Sequence, residues 1–169
     1  ILERLKAEPE YDIIFDDDDA NEASDIIAIK GYESEHNKLI FELYHCKFSS
    51  KDEPGGRLKD LCEVCGQARR SYQWRHNAIE LLNHMNRRNR NRLAQGNPSR
   101  YEKGGDDELL IIQNMLLSNY CDIEFHIYVV QPGIEKNKLV NSSELLSLLG
   151  ATDLLLKRTG NEFSIITNE

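Results

Sequence analysis

The chain has 169 residues, 40% hydrophobic and 30% charged, enough to bury one core and too apolar to stay disordered. Its net charge of −8 weighs against a uniformly basic nucleic-acid coat, and no apolar run approaches the ~20 residues of a membrane span. It opens on Ile1 without Met and without a signal-peptide pattern, which suggests one domain over residues 1–169, cut from a larger cytoplasmic protein.

Ile1, Leu2 and Leu5 fall at helical spacing until Pro9 stops them. Tyr11–Phe15 reads as a short strand, followed by an acidic connection from Asp16 to Ala23. Asp25–Lys30 reads as a strand covered on both faces. A polar turn over Gly31–Asn37 then leads into a longer strand, Lys38–Phe48. Period two puts Leu39, Phe41, Leu43, His45 and Lys47 on one side, and Ile40, Glu42, Tyr44 and Cys46 on the other.

Pro54-Gly55-Gly56 breaks the chain before one long helix, or two consecutive ones, from Arg57 to about Arg92. Its expected apolar stripes are Leu58, Leu61, Cys62, Cys65 and Ala68, then Ile79, Leu82 and Met85. Ala94–Gly105 reads as a flexible connection or hairpin, and Asp106-Asp107-Glu108 opens a helix to Asn119 with acids at its positive end. Asp122–Gln131 is a strand ended by Pro132-Gly133. Ser142 caps a helix to about Arg158, and Glu162–Thr167 closes the chain as a strand. A strand meander followed by helix–strand crossovers predicts an α/β fold: a mixed central sheet with helices on both faces.

Charge is segregated along the chain. Acids crowd the first third, whereas Arg69, Arg70, Arg75, Arg87, Arg88, Arg90, Arg92 and Arg100 make the middle basic. An acidic pole can hold a cation and a basic pole phosphates; the plainer reading is a solvated charged surface. Four cysteines raise the question of zinc. Cys62 and Cys65 lie three apart in a helical run with no second pair, which reads as core rather than as a zinc site and fits reduced thiols in a cytoplasmic protein.

Asp25 starts one strand, and His45-Cys46-Lys47 ends its neighbour on an otherwise apolar face. A cation held there would neutralise charge on a phosphodiester and activate an attacking water, and Mg²⁺ asks for one or two carboxylates with further oxygens. Asp25 is the expected carboxylate, the Cys46 carbonyl the backbone oxygen, and Lys47 the catalytic ammonium. Glu42 points to the opposite side and cannot join them.

This arrangement resembles the restriction-endonuclease-like (PD-(D/E)xK) nuclease superfamily. The nearest likeness is to its Mrr-type D…Q-x-K branch, with Tyr44-His45-Cys46-Lys47 reading here as H-x-K. The stretch Glu63–Tyr72 loosely resembles the Gln/Tyr helix motif of RecB-like nucleases, with Gln67 and Tyr72 one residue too far apart. The resemblance implies a three-layer restriction-endonuclease-like fold and a Mg²⁺-dependent endonuclease cutting DNA. It also implies a module joined to a helicase or other DNA-binding part of a defence or repair protein. Its implied site is Asp25, His45 and Lys47, with Glu22 restoring the charge lost at His45; phosphates would meet Gln67, Arg69, Arg70, Arg87, Arg88, Arg90 and Arg92. His45 departs from the family's carboxylate or amide and favours Mn²⁺ over Mg²⁺, since imidazole suits transition ions. That departure keeps open an alternative: a nuclease-like domain without catalysis that binds DNA or a protein partner.

Overall fold

The computed structural model describes residues 1–31, 37–47, 58–118 and 121–168. The expected turn after Gly31, the loop through Pro54-Gly55-Gly56, Phe48 and Asn119 lie outside them. Helix α1 (Leu2–Ala7) leads into a meander of β1 (Ile13–Asp16), β2 (Ile26–Lys30) and β3 (Lys38–Cys46). Then come α2 (Leu58–Arg70), a 3-10 segment (Ser71–His76), α3 (Ala78–Ala94), β4 (Tyr101–Lys103) and α4 (Asp106–Leu117). The chain closes with β5 (Asp122–Glu135), α5 (Lys136–Val140), α6 (Ser143–Arg158) and β6 (Glu162–Asn168). No helix among the described residues is long and apolar enough to cross a membrane.

The six strands form one mixed sheet in the order β4-β1-β2-β3-β5-β6. The meander is antiparallel, with Ile26 opposite Tyr44, whereas β5 runs parallel to both β3 and β6. Alternation assigns the two faces. Ile13, Phe15, Ile27, Ile29, Leu39, Phe41, Leu43 and Phe125 pack under α3 and α4, and the same face continues through Ile127 and Val129 under α2 and α6. The reverse face packs Ile14, Ile26, Ala28 and Tyr44 against Leu5 of α1. Among the described residues the helices flank the sheet unevenly: α2 to α6 lie on one side, Leu139 of α5 joining the cluster under α2 and α6, and α1 lies on the other.

Three expectations need correction, and one choice between two readings is decided. The run expected from Arg57 to about Arg92 forms two consecutive helices, parted at Ser71–His76 by a tighter 3-10 segment that re-aims the chain into α3. Its first stripe is Leu61, Val64, Cys65 and Ala68, leaving Leu58 and Cys62 exposed, because the helix is rotated to meet α6 and β5. Ala94–Gly105 contains an edge strand, β4, whose Tyr101 meets Phe15 edge to face at 5.2 Å. Finally, β5 continues past Pro132-Gly133 to Glu135, because the proline sits where the register against β6 slips and no ladder bond is lost. The Ser142 cap forms, accepting from the Leu145 amide at 3.3 Å.

Candidate metal centre

The connection from β1 to β2 folds back over the ends of both strands, because Asp17 N–H donates to the Asp25 carbonyl (3.0 Å) and extends the pairing by one step. That fold brings Asp18, Glu22 and Asp25 together, with one carboxylate oxygen of each lying within 4.8 Å of the others. Asp25 is half-buried, and its Oδ2 accepts from the Cys46 amide at 2.8 Å, which couples the acid to the end of β3. Burial, and then the charge of Asp18, hold the Asp25 carboxyl above its usual range against the pull of the Cys46 N–H. Burial, with Asp25 and Asp18 beside it, raises Glu22 likewise. Three hard carboxylates whose ionised forms repel one another make a donor set that a divalent cation would relieve.

Lys47 follows on β3 and forms an ion pair with Glu63 of α2 at 2.6 Å, a hydrogen bond that raises its pKa. It also acts electrostatically on Asp25. His45 shares this side of the sheet but sits deeper, 2% exposed, with Nε2 2.8 Å from Ser71 Oγ. Ser71 donates its single hydroxyl hydrogen to the Ala23 carbonyl (3.3 Å), so His45 Nε2 carries the proton and Nδ1 is a bare acceptor. Burial, helped by Arg70, pushes the His45 pKa down to about 3 and keeps the ring neutral. Its nitrogens are not part of the three-acid cluster.

His45 Nδ1 and Gln67 Oε1 are both buried without a hydrogen-bond partner, and both residues line a cavity of about 100 Å³ with Glu22, Arg70, Ser71 and Trp74. A polar cavity of that size accommodates a few ordered waters rather than a planar ring. Glu42 lies on the reverse face, where Tyr11, Tyr44 and Lys30 all reach its carboxylate. The Cys46 thiol is pushed up to about 12 by burial and then by Asp25, which makes it a poor ligand. Cys62 and Cys65 belong to no ligand cluster among the described residues.

The arginines divide into two sets. Arg69 donates to Thr152 Oγ1 (3.0 Å) and the Leu148 carbonyl (3.4 Å), tying α2 to α6. Arg88 turns inward to the acidic loop, and Arg92 donates to the Pro98 carbonyl at 3.1 Å. Arg87 and Arg90 instead line an open groove with Asn83, Asn86 and Asn91 along one stripe of α3, and Arg70 is exposed beside the cavity.

Sequence reasoning passed over Asp18, Ser71 and Glu63. Asp18 lay in plain view in the run Asp16–Asp19, but only the fold separates its role from that of its neighbours. Among known protein families, curated proteins and solved structures, nothing matches the chain.

Proposed function

We propose that this chain is a divalent-cation-dependent nuclease domain, restriction-endonuclease-like in fold, that hydrolyses DNA phosphodiester bonds within a larger DNA-processing or defence protein. The observation that carries the reading is the convergence of Asp18, Glu22 and Asp25 at the end of β2, bonded to the end of β3 that bears Lys47. The strand order, an antiparallel meander continued by parallel β5 and β6, supports the fold that the resemblance implies.

The three carboxylates would hold Mg²⁺ or Mn²⁺. When bound, such an ion supplies Lewis acidity and lowers the pKa of a coordinated water. Lys47 is placed to exchange Glu63 for a phosphoryl oxygen and to stabilise charge developing there. His45, neutral and outside the cluster, orients Ser71 and the cavity wall rather than a cation. Of the arginines expected at phosphates, Arg70, Arg87 and Arg90 are the exposed ones, with surface to offer a phosphate backbone.

The test is cleavage of plasmid DNA with Mg²⁺ and with Mn²⁺ by the wild type, Asp25→Ala and Lys47→Ala. Wild-type cleavage lost in both folded variants is expected; full activity in both sinks the proposal. A second reading, a nuclease-like domain that binds DNA or a partner without cutting, is favoured by the Lys47–Glu63 ion pair, which neutralises the catalytic cation. DNA binding with no cleavage under either ion selects it.

A further inference from the structure

The loop that carries the acids has a problem of its own. Asp16, Asp17, Asp18, Asp19, Glu22 and Asp25 fall within ten residues, and two like charges 5 Å apart cost about 3 kcal/mol at an effective dielectric of about 20. Residues 17–25 form no strand or helix, so they supply few backbone hydrogen bonds of their own to resist that repulsion. Something outside the loop must hold it.

Arg88 of α3 does most of this. Its Nη1 donates to the Ala20 carbonyl and its Nη2 to the Asp17 carbonyl, both at 2.8 Å, while Nε lies 2.5 Å from Asp17 Oδ1. The other oxygen of Asp17 accepts from the Ala23 amide (2.8 Å) and from His84 Nε2 (2.9 Å). Arg87 donates to His84 Nδ1 at 3.4 Å, which leaves the ring's proton on the Nε2 that faces Asp17. Arg100 adds bonds to the carbonyls of Asp16 (2.9 Å) and Asp18 (3.4 Å) and to Asp19 Oδ2 (3.2 Å). The Asp17 and Ala20 carbonyls are thereby pinned to α3, the Asp16 and Asp18 carbonyls to Arg100 beside β4, and the Ala23 amide to Asp17 itself.

We propose that Arg88, with Asp17 and His84 behind it, is a positioning residue that sets the spacing of Asp18 and Glu22 against Asp25 and so pre-forms the cation site. The inference deepens the cation-dependent reading and rests on it. Its rival is the assignment of Arg88 to DNA phosphates as part of the basic run. Geometry opposes that rival: the Arg88 side chain is 12% exposed, both of its terminal nitrogens donate to loop carbonyls, and its Nε is in ion-pair contact with Asp17 Oδ1 without a well-aligned hydrogen bond. Nor does the adjoining cavity, about 240 Å³ lined by Arg88, Arg92, Arg100 and Asp19, attract an anion. Its three arginines are matched by Asp17, Asp16 and Asp19, and the charges cancel.

A planar fork that spans two carbonyls and a carboxylate cannot be replaced by an ammonium, so Arg88→Lys tests geometry at constant charge. Three measurements on the wild type, Arg88→Lys and Arg158→Lys separate the possibilities: exchange of the Ala23 amide in EDTA, Mn²⁺ affinity by calorimetry, and the salt dependence of binding to a 20-base-pair duplex in EDTA. Arg88→Lys is expected to speed exchange at Ala23 at least tenfold and to weaken Mn²⁺ about tenfold, while leaving the duplex salt slope unchanged. Arg158→Lys, an exposed arginine in the last turn of α6 outside the site, leaves all three readings at wild-type values. Unchanged Mn²⁺ affinity in Arg88→Lys overturns the proposal, as does unchanged Ala23 exchange. Should Arg88→Lys unfold, His84→Gln, which relaxes the same clamp from behind, takes its place with the same outcomes in smaller measure. A wild type that binds no Mn²⁺ refutes the cation-dependent reading instead, and Ala23 exchange, measured without metal, still reports whether Arg88 holds the loop.

Discussion

Asp25→Asn removes one charge from the acidic cluster while keeping an acceptor for the Cys46 amide. In EDTA the substitution relieves like-charge contacts with Asp18 and Glu22, whose carboxylate oxygens lie within 4.8 Å of Asp25. Each contact costs between about 1 kcal/mol in water-like surroundings and about 3 kcal/mol at an effective dielectric of about 20. Asp18 is exposed and Asp25 only half-buried, so the screened end of that range applies, giving a gain of about 2 kcal/mol for the two contacts. Weakening a charge-assisted hydrogen bond takes back about 1 kcal/mol. The net of about 1 kcal/mol raises the melting temperature by about 3 °C in a chain of this length. Saturating Mn²⁺, at about a hundred times its dissociation constant, adds about 2.7 kcal/mol to the wild type, about 8 °C, and far less to the variant. Thermal unfolding of both proteins in EDTA and in Mn²⁺ reads all four states. A variant that melts below the wild type in EDTA, or one that keeps the full Mn²⁺ shift, refutes the reasoning.

Three other outcomes are expected. His45 is neutral when folded, with its pKa at about 3 against an ordinary 6.5, so the unfolded chain binds the extra proton and stability falls as pH drops from about 6.5 toward 3, by up to about 1.4 kcal/mol per pH unit. Urea unfolding of wild type and His45→Gln between pH 7 and 4 isolates that slope, and parallel curves would show the ring to be protonated in the fold. Glu42→Ala strips the acceptor from Tyr11, Tyr44 and Lys30 and should cost about 3 kcal/mol in denaturant unfolding, with Mn²⁺ affinity unchanged; altered affinity contradicts its place on the reverse face. Arg90→Gln should reduce the salt slope of duplex binding by about 1, whereas Arg69→Gln should leave it unchanged and lower stability by about 1 kcal/mol; identical slopes in both variants argue against the α3 groove.

Much of the sheet was legible along the chain because its signal is local. Alternation in Lys38–Cys46 separates His45 and Lys47 from Glu42, and the structure places a helix-side partner on each of the first two, Ser71 and Glu63, while Glu42 bonds on the reverse face. Strand β4 was not legible: three residues carry too little pattern, and Tyr101–Lys103 becomes a strand because β1 offers it an edge. Nor could periodicity decide which side of α2 is buried, since Leu61, Val64, Cys65 and Ala68 owe their burial to α6 and β5, far away in sequence.

The acidic run and the basic run show the same division at the candidate site. That acids precede β2, that a lysine ends β3, and that arginines crowd α3 is written in the residues themselves. Which acid meets Asp25 depends on how residues 17–25 turn, and that path is held by Arg88, 68 residues beyond Ala20, and by Arg100, 84 residues beyond Asp16. A run of arginines looks the same whether it faces a phosphate or its own loop, because charge is a property of the residue and pairing a property of position. Only the tertiary structure turns Arg88 inward and leaves Arg87 and Arg90 on the open face of α3.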